Sequence, residues 1–345
     1  MSATTATIRD VAKHAGVGVG TVSRVLNESP DVSHLTRQKV LAAIAELNFS
    51  PSLVARRLSL RKTSTIGIIA PFFTRPAFVE RLRGVEKVIA QSNYDLVLFN
   101  VETPERRDTL FRDVPRPDRV DGLLIISLSP DDAAAERFHA ASIPTVLIDA
   151  YHPDLNCVLV DNINGGQKAV EHLLNLGHQR IGFISDAMDN PYNPFRFSHI
   201  HDRYQGYRQA LTHATIPFHP EYHKQGVHSR RTARQLAYEL LSQPEPPTAI
   251  FAYSDTQAFG VLEAAQDLGL NVPQDLSVIG FDDIELAEYL NLTTIRQNLV
   301  ESGEIGANLL LQMLSGASTP TQKITLPIEL ILRQTTAPPP NAPSA

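Results

Sequence analysis

Residues 8–27 read IRDVAKHAGVGVGTVSRVLN and predict two short helices joined by a tight turn. Four apolar residues in the first half recur at helical spacing, so they form one face of a helix. Gly16 should end that helix, because glycine readily adopts the positive φ that a sharp turn needs. A second apolar face follows from about residue 19. Two short helices around a glycine turn are typical of a helix-turn-helix.

A third amphipathic helix is predicted from about Thr36 to Leu47, with Val40 and Ile44 on its apolar face. Pro51 disfavours helix at the residue before it, so the third helix should end earlier. Three helices in so short a segment bury a small core, which is marginally stable by itself.

The motifs that extend this segment are TVSRVLN at 21–27, LNFSP at 47–51 and VARRL at 54–58, with Val32-Ser33, Thr36-Arg37 and Val40 between them. Together they resemble the LacI/GalR family of bacterial transcription regulators. The last motif is similar to the hinge helix of that family, which we expect over residues 53–58. Because the match is long and ungapped, it favours a DNA-binding headpiece over a small helical bundle without a role on DNA.

The resemblance implies a set of DNA contacts. Positions that match phosphate contacts of the family are Gly18, Thr21, Ser23, Asn27, Ser33, Thr36 and Ser52. The base-reading positions hold Val19, Gly20 and Arg24, of which only the arginine can pair bidentately with guanine. Ala55 would let two hinge helices approach each other, and Leu58 would wedge into the minor groove and bend the duplex. The alternative for Leu58 is an apolar anchor in a linker helix.

Length and composition indicate a globular protein of two or three domains. The chain has 345 residues, of which 43% are hydrophobic and 20% charged. No apolar run reaches the length of a bilayer, and the first residues lack the pattern of an export signal. Cys157 is the only cysteine, which excludes an intrachain disulfide and a thiolate metal cluster. We therefore expect a reducing, cytoplasmic setting.

The net charge of -6 conceals a strong asymmetry along the chain. Residues 1–62 contain nine Lys and Arg but four Asp and Glu, so this segment carries +5 and the remainder -11. A basic headpiece on an acidic body suits a segment that meets DNA phosphates and a body that does not.

Beyond residue 64, strands and helices alternate. Ile66–Ala70, Gly122–Ser127 and Thr145–Ile148 are near-continuous runs of Val, Ile and Leu, which indicate parallel strands covered on both faces. The pattern restarts after Asp161, and a late strand is expected over Lys323–Arg333. The sequence therefore predicts an α/β fold class, with a helix-turn-helix headpiece and hinge helix before a two-lobed, doubly wound body. This body resembles periplasmic sugar-binding proteins, and the resemblance implies three chain crossings between lobes.

The predicted boundaries follow from these patterns. We expect a headpiece at 1–50, a hinge helix and linker at 51–63, an effector-binding and dimerisation body at 64–336, and a disordered tail at 337–345. One lobe would comprise about 64–162 and 296–318, and the other about 163–295 and 319–336. The prolines of the tail forbid the C-terminal heptad helix of tetrameric family members, so a homodimer is expected.

A ligand site is expected between the lobes, at the carboxyl ends of the strands. Its candidates are aromatic rings or polar groups at strand ends and at positions that match ligand contacts of the family. They are Phe72, Phe73, Phe78, Asp149, Phe197, His199, Arg203, Ser254, Asp282 and Gln297. Rings that stack on C–H faces, with an arginine and carboxylates for the hydroxyls, suit a sugar. The alternatives are core packing for the phenylalanines and salt bridges between lobes for Arg203 and Asp282.

Other chemistry finds little support in the sequence. The glycines at 16, 18 and 20 follow no strand and lack the spacing of a dinucleotide-binding loop. His199, His201 and Asp202 are too few for a structural metal site, so no metal or cofactor is expected. No nucleophile elbow, Walker or HExxH motif occurs, and nothing in the sequence favours an enzyme.

These observations predict a ligand-responsive, homodimeric repressor that binds a palindromic operator on double-stranded DNA and is controlled by a small molecule, a sugar being favoured. A free sugar-binding module of the transport type is the second hypothesis, and an enzyme the third. The headpiece and the missing export signal favour the first.

Overall fold

The computed structural model describes residues 6–26, 29–49, 63–188, 195, 197–316 and 320–340. The chain divides into two compact units at the boundary between Lys62 and Thr63. Each unit has its own hydrophobic core.

The first unit contains three helices, α1 (Ile8–Ala15), α2 (Val19–Leu26) and α3 (His34–Glu46). At the start of α1, Thr7 and Asp10 cap each other, since each side chain accepts a hydrogen bond from the backbone of the other. Gly16 ends α1 with a φ of 64°. Both features stabilise helix ends that would otherwise leave backbone groups unpaired.

The third helix begins earlier than predicted, at His34 rather than Thr36. Ser33 is the reason, because its side chain accepts a hydrogen bond from the Thr36 amide and so caps the helix. The core of this unit consists of fully buried valines from all three helices, Val11, Val22 and Val40.

The second unit contains twelve strands and nine α-helices among its described residues. In chain order they are β1 (Thr65–Pro71), α4 (Pro76–Ile89), β2 (Asp95–Val101), α5 (Pro104–Asp113), β3 (Gly122–Ile126), α6 (Asp132–Ala140), β4 (Thr145–Ile148), β5 (Asn156–Val160), α7 (Asn162–Asn175), β6 (Ile181–Asp186), α8 (Ser198–His213), β7 (His223–Gly226), α9 (Arg230–Leu241), β8 (Ala249–Ala252), α10 (Asp255–Asp267), β9 (Ser277–Asp282), α11 (Glu285–Tyr289), β10 (Thr293–Arg296), α12 (Leu299–Leu314), β11 (Lys323–Leu326) and β12 (Glu329–Ile331).

These strands form two six-stranded sheets, one in each lobe. Lobe 1 has the order β11-β5-β4-β3-β1-β2, and all its pairs are parallel. Lobe 2 has the order β12-β10-β9-β8-β6-β7, and only β12 is antiparallel to its neighbour. The predicted pair of doubly wound α/β lobes is confirmed.

The chain passes between the lobes three times, after β5, after β10 and after β11. The position of the last crossing, after β11, differs from the predicted boundary between the lobes. Residues 323–326 pair with β5 in lobe 1, although residues 319–336 were all expected in lobe 2. The single late strand predicted over 323–333 is two strands, because Pro327 interrupts the run and β12 joins the other sheet.

Two close helix crossings, one in each lobe, depend on glycine. A Cβ atom at Gly84 of α4 would lie 1.9 Å from the carbonyl oxygen of Val300 in α12. In lobe 2, a Cβ atom at Gly206 of α8 would lie 2.1 Å from the carbonyl oxygen of Ile163 in α7. Glycine thus lets each pair of helix backbones approach directly, which places polar residues of α4 and α8 beside the space between the sheets.

The predicted disordered tail needs a second correction. The Ala337 amide donates to Ser277 Oγ at 3.0 Å, and its carbonyl oxygen lies 2.8 Å from His178 Nε2. Prolines prevent a helix here but leave the chain free to dock in an extended form and to accept hydrogen bonds. Residues 341–345 lie outside the described part of the chain.

Candidate functional site

A cavity of about 40 Å³ lies between the two lobes, beside the carboxyl ends of several strands. Its lining residues are Arg75, Pro76, Ala77, Phe78, Arg81, Ser127, Asp149, Phe197, His199, Arg203, His228, Tyr253, Ser254, Thr256, Asp282 and Gln297. A space of this size holds a few water molecules and is far below the roughly 300–1,000 Å³ of ligand pockets. The structure therefore shows a closed cleft.

Lobe 1 contributes a buried ion pair to the cavity. Arg81 of α4 is 2% exposed, and its Nη2 lies 3.2 Å from Asp149 Oδ2 at the end of β4. Ser127 donates a hydrogen bond to the same carboxylate at 2.7 Å. Burial opposes ionisation of Asp149, but Arg81 and the other neighbours outweigh it and lower the pKa of this carboxyl. Asp149 is therefore an anionic acceptor at the cavity wall.

Lobe 2 contributes Arg203 of α8, which is 3% exposed and bound on several sides. Its Nε donates to Asn162 Oδ1 at 2.9 Å, and its Nη1 donates to the Tyr253 carbonyl oxygen at 2.7 Å. The same Nη1 lies 3.5 Å from Asp282 Oδ1, and the guanidinium lies 3.6 Å above the ring of Phe281. Asn162 begins α7, so the glycine-based crossing of α7 and α8 brings the two partners together.

Gln297 joins the two ion pairs into one network. Gln297 follows β10, where the chain passes from lobe 2 back to lobe 1. Its Oε1 accepts a hydrogen bond from Arg81 Nη2 at 2.9 Å, and its Nε2 donates to Asp282 Oδ1 at 2.5 Å. Burial raises the pKa of Asp282, and Arg203 partly offsets this effect. Because these polar groups bind one another in the closed cleft, a ligand must take over their hydrogen bonds when it enters.

Eight of the ten predicted ligand-site residues line this cavity. The two others are Phe72 and Phe73. The ring of Phe72 packs edge-on against Phe195, with centroids 5.6 Å apart, and against Phe197, with centroids 6.5 Å apart. Phe72 therefore packs against the lining residue Phe197 and does not itself line the cavity, which agrees with the packing alternative for this residue.

His199 is a cavity residue whose pKa is strongly shifted by burial. Burial is the main cause and lowers the pKa of its imidazole to about 4. The Tyr253 hydroxyl lies 2.6 Å from His199 Nδ1, and burial raises the pKa of that phenol well above its usual value. Tyr253 thus remains protonated and donates to a neutral His199 at neutral pH.

We expect this neutral imidazole to make stability depend on pH. An unfolded histidine, with a pKa of 6.5, binds a proton between pH 6.5 and about 4, while folded His199 does not. The free energy of unfolding should therefore fall as the pH drops through this window, by up to about 3 kcal/mol. Urea denaturation at a series of pH values measures the change, and His199→Gln should flatten it.

The matched control is His213→Gln at an exposed end of α8. It removes a histidine with the same substitution but outside the cavity. An equal flattening in both variants would contradict the assignment to His199.

Several cavity residues were missed in the sequence. Arg81 lies three residues after Phe78 and four before Val85, on the stripe of α4 that faces the interior. A charged residue on an apolar stripe is a usable signal, because it needs a buried partner. Tyr253 in the lining and Asn162 behind it carry no such signal, since their roles depend on long-range hydrogen bonds with Arg203.

The predicted base-reading residues of the headpiece are accessible to solvent. Gly18, Val19, Gly20 and Arg24 are exposed, and Val19 is 42% exposed. Thr21, Ser23 and Thr36 are half-buried, and Ser33 is exposed as the cap of α3. Asn27, Ser52, Ala55 and Leu58 lie outside the described residues, as does the predicted hinge helix.

Two searches of the described residues were negative. No group of three or more His, Cys, Asp or Glu side chains in this part of the chain could hold a metal ion. Among the described helices, none is both long and apolar enough to cross a membrane.

Comparison with known proteins yields matches to both units. Residues 7–52 match the family model of bacterial regulatory proteins, lacI family, and residues 170–336 match a periplasmic binding protein-like domain. The ribose operon repressor of Escherichia coli K12 is 36% identical over 93% of this chain and 97% of its own length.

Two solved structures extend the similarity. The lac repressor dimer bound to operator and the anti-inducer ONPF matches with a TM-score of 0.82 and 31% identity, over 96% of this chain and 99% of that one. A LacI family transcriptional regulator from Enterococcus faecium with bound ribose matches with a TM-score of 0.68 and 31% identity, over 79% of this chain and 99% of that one.

Proposed function

Because the chain belongs to the lacI family of bacterial regulatory proteins, we propose that it is a dimeric repressor of transcription. A sugar-like effector that binds between its lobes would control its affinity for a palindromic operator. As a family member it is a transcription regulator with a DNA-binding domain and a periplasmic binding protein-like domain. The E. coli relative is a repressor by name, and the similar lac repressor is a dimer on its operator. These two relatives support repression and dimerisation here.

A polar network around the interlobe cavity supports the proposed effector site. Its members are Arg81, Asp149, Arg203, Asp282 and Gln297. It offers both guanidinium donors and carboxylate acceptors within one closed space. Such a mixture suits the hydroxyl groups of a carbohydrate, which donate and accept at once. The ribose bound by the similar E. faecium regulator supports this class of ligand.

Control would follow from the two lobes changing their separation. The cavity of about 40 Å³ holds only a few water molecules, so we propose that a sugar binds a conformation with a wider cleft. A ligand shifts the balance between two conformations by its difference in affinity for them. We propose that this shift moves the lobe 1 elements of the dimer and thereby orders or releases the hinge segment at 51–63.

Arg24 should be needed for specific DNA binding. It is the one base-reading position with a hydrogen-bonding side chain, and it is exposed. We expect Arg24→Ala to weaken operator binding by about 1–3 kcal/mol and to relax the preference at one base pair. Selection from a random DNA library defines the operator, and mobility shifts with the wild type and the variant measure the loss.

Arg9→Ala is the matched control for this experiment. Arg9 is also an exposed arginine of the headpiece, but it lies in the first turn of α1. Its removal should weaken binding to all sequences alike, without a change in base preference. Equal preference at every base pair in Arg24→Ala and the wild type would contradict the base-reading role.

The other function classes make different predictions. A transport-type sugar-binding module would bind the ligand but no specific DNA, and the same library selection would return no operator. An enzyme would turn over the bound ligand, and the relatives named above are regulators. We place the protein in the cytoplasm, because a repressor must meet its operator there.

A further inference from the structure

Arg75 is a cation at the edge of the interlobe cavity that forms no ion pair with a carboxylate in the described part of the chain. It is half-buried at the N-cap of α4, with its guanidinium 4.1 Å from the ring centroid of Phe72. Arg81 and Arg203 in the same cavity each contact a carboxylate, but among the described residues none lies within ion-pair distance of Arg75. Burial also lowers the pKa of Arg75, opposed by the field of Asp186.

Asp186 does not neutralise Arg75 at close range because it is engaged elsewhere. Its carboxylate lies 2.9 Å from His228 Nδ1 and accepts a hydrogen bond from Gln257 Nε2 at 2.9 Å. The positive charge of Arg75 is therefore available to an anion that enters the cavity.

Two further donors of α4 have no acceptor among the residues that the structure describes. Arg81 is 2% exposed, lines the cavity, and leaves its buried Nε without a hydrogen-bond partner. The Ala77 amide lies in the first turn of α4, and within the described residues no acceptor is found for it. Ala77 and Arg81 are four residues apart, so they share one face of the helix. Leaving the buried Arg81 Nε unpaired costs about 1–3 kcal/mol, and an acceptor-rich ligand group would remove this cost.

The charges of the side chains that line the cavity also favour an anionic ligand. Three arginines line it, against the carboxylates of Asp149 and Asp282. His199 adds no positive charge at neutral pH, because it is neutral there. Among the lining side chains the arginines therefore outnumber the carboxylates by one, and Arg75 is the arginine without an ion pair to a described residue. The helix dipole of α4 adds partial positive charge at the same end.

We propose that the effector is an anionic sugar derivative whose phosphate or carboxylate group binds Arg75, the Ala77 amide and Arg81 Nε. This inference rests on the proposed function and adds a substrate class to it. The sugar hydroxyls would meet Asp149, Arg203 and Asp282 deeper in the cavity. A phosphate monoester offers three acceptor oxygens for these three donors, whereas a carboxylate offers two.

Calorimetric titration of the full-length protein with matched ligands tests the proposal. The pairs are ribose with ribose 5-phosphate, glucose with glucose 6-phosphate, and fructose with fructose 1-phosphate. Glucuronate represents a sugar carboxylate, and inorganic phosphate alone represents an anion without a sugar. We expect at least one anionic sugar to bind ten times more tightly than its neutral parent or more. The phosphate and glucuronate titrations decide which anion the site prefers.

Three variants test whether Arg75 causes the preference for an anionic sugar. Arg75→Gln should reduce the affinity of the anionic sugar at least tenfold and leave that of the neutral parent within a factor of about two, whereas Arg75→Lys should retain part of the preference. Arg83→Gln is the matched control, because Arg83 lies on the exposed side of α4 and pairs with Glu80. It should bind every ligand as the wild type does.

The outcomes separate this inference from the function on which it rests. Neutral parents that bind as tightly as their anionic partners, or an anion preference that survives in Arg75→Gln, would overturn the anion site alone. Ligand binding that is unchanged in Arg203→Gln, or no binding by any of these ligands, would overturn the sugar-responsive function as well.

Discussion

Arg203→Ala is expected to abolish the response to the effector while specific binding to the operator persists. Arg203 offers five fixed donors and holds Asn162, the Tyr253 carbonyl oxygen and Asp282 in the closed cleft. Its removal leaves the buried Asp282 carboxylate without its cationic partner and Asn162 Oδ1 without its donor. Breaking a buried ion pair in this way costs about 3–5 kcal/mol in whichever conformation buries it. Ligand affinity should then fall at least tenfold. Operator binding titrated with the effector measures both properties in one experiment.

Two further variants test whether the effect is specific to the Arg203–Asp282 pair. Arg231→Ala removes an exposed arginine of α9 in the same lobe and should change neither property. Asp282→Asn keeps the size of the side chain but removes the charge that faces Arg203, so it should weaken ligand binding with less effect on folding. If Arg203→Ala and Asp282→Asn both keep the wild-type ligand midpoint, the effector binds elsewhere. If both lose operator binding without any ligand, the pair is a structural bridge.

Gly206→Val is expected to destabilise lobe 2 by about 3 kcal/mol or more. The new Cβ would lie 2.1 Å from the Ile163 carbonyl oxygen and 2.7 Å from the Gln167 amide nitrogen. Both are backbone atoms, so α7 and α8 must move apart rather than rotate a side chain. The urea midpoint of the circular dichroism signal should fall accordingly.

The same substitution should also impair ligand binding, because α7 carries Asn162 and α8 carries Arg203. Gln205→Val is the matched control, since it places the same β-branched residue at an exposed position of α8. It should lower stability only by the small helix propensity of valine, about 0.5 kcal/mol. Equal losses in the two variants would contradict the close backbone crossing.

The strands that could be predicted from the sequence are those with continuous apolar runs. Thr145–Ile148 has the predicted bounds, because every residue in it is buried. The strand Thr293–Arg296 was missed, since two threonines replace the apolar residues. Their hydroxyls are satisfied by tertiary partners, as when Thr294 donates to buried Asp255 at 2.5 Å. Short-range patterns contain no information about such partners.

The candidate site shows the same limit. Arg203 and Asp282 were identified through the resemblance, and both line the cavity. Arg81 was missed although it forms the centre of the network, because its partner Gln297 lies 216 residues away along the chain. That contact exists only because Gly84 and Gly303 let α4 and α12 pack closely. The hinge at 51–63 lies outside the described residues, so Leu58 remains a prediction from the sequence.

The three crossings between lobes also constrain how the protein is made. Lobe 1 begins with β1 but needs α12 and β11, which are synthesised only after ten of the strands, including five of lobe 2. A growing chain that has reached residue 296 therefore exposes the faces of lobe 1 that α12 and β11 later cover. Lobe 1 therefore cannot complete its fold before β11 is synthesised, nor lobe 2 before β12. Neither lobe is one continuous segment, so neither can be excised intact by a single cut or moved as a simple cassette into another regulator.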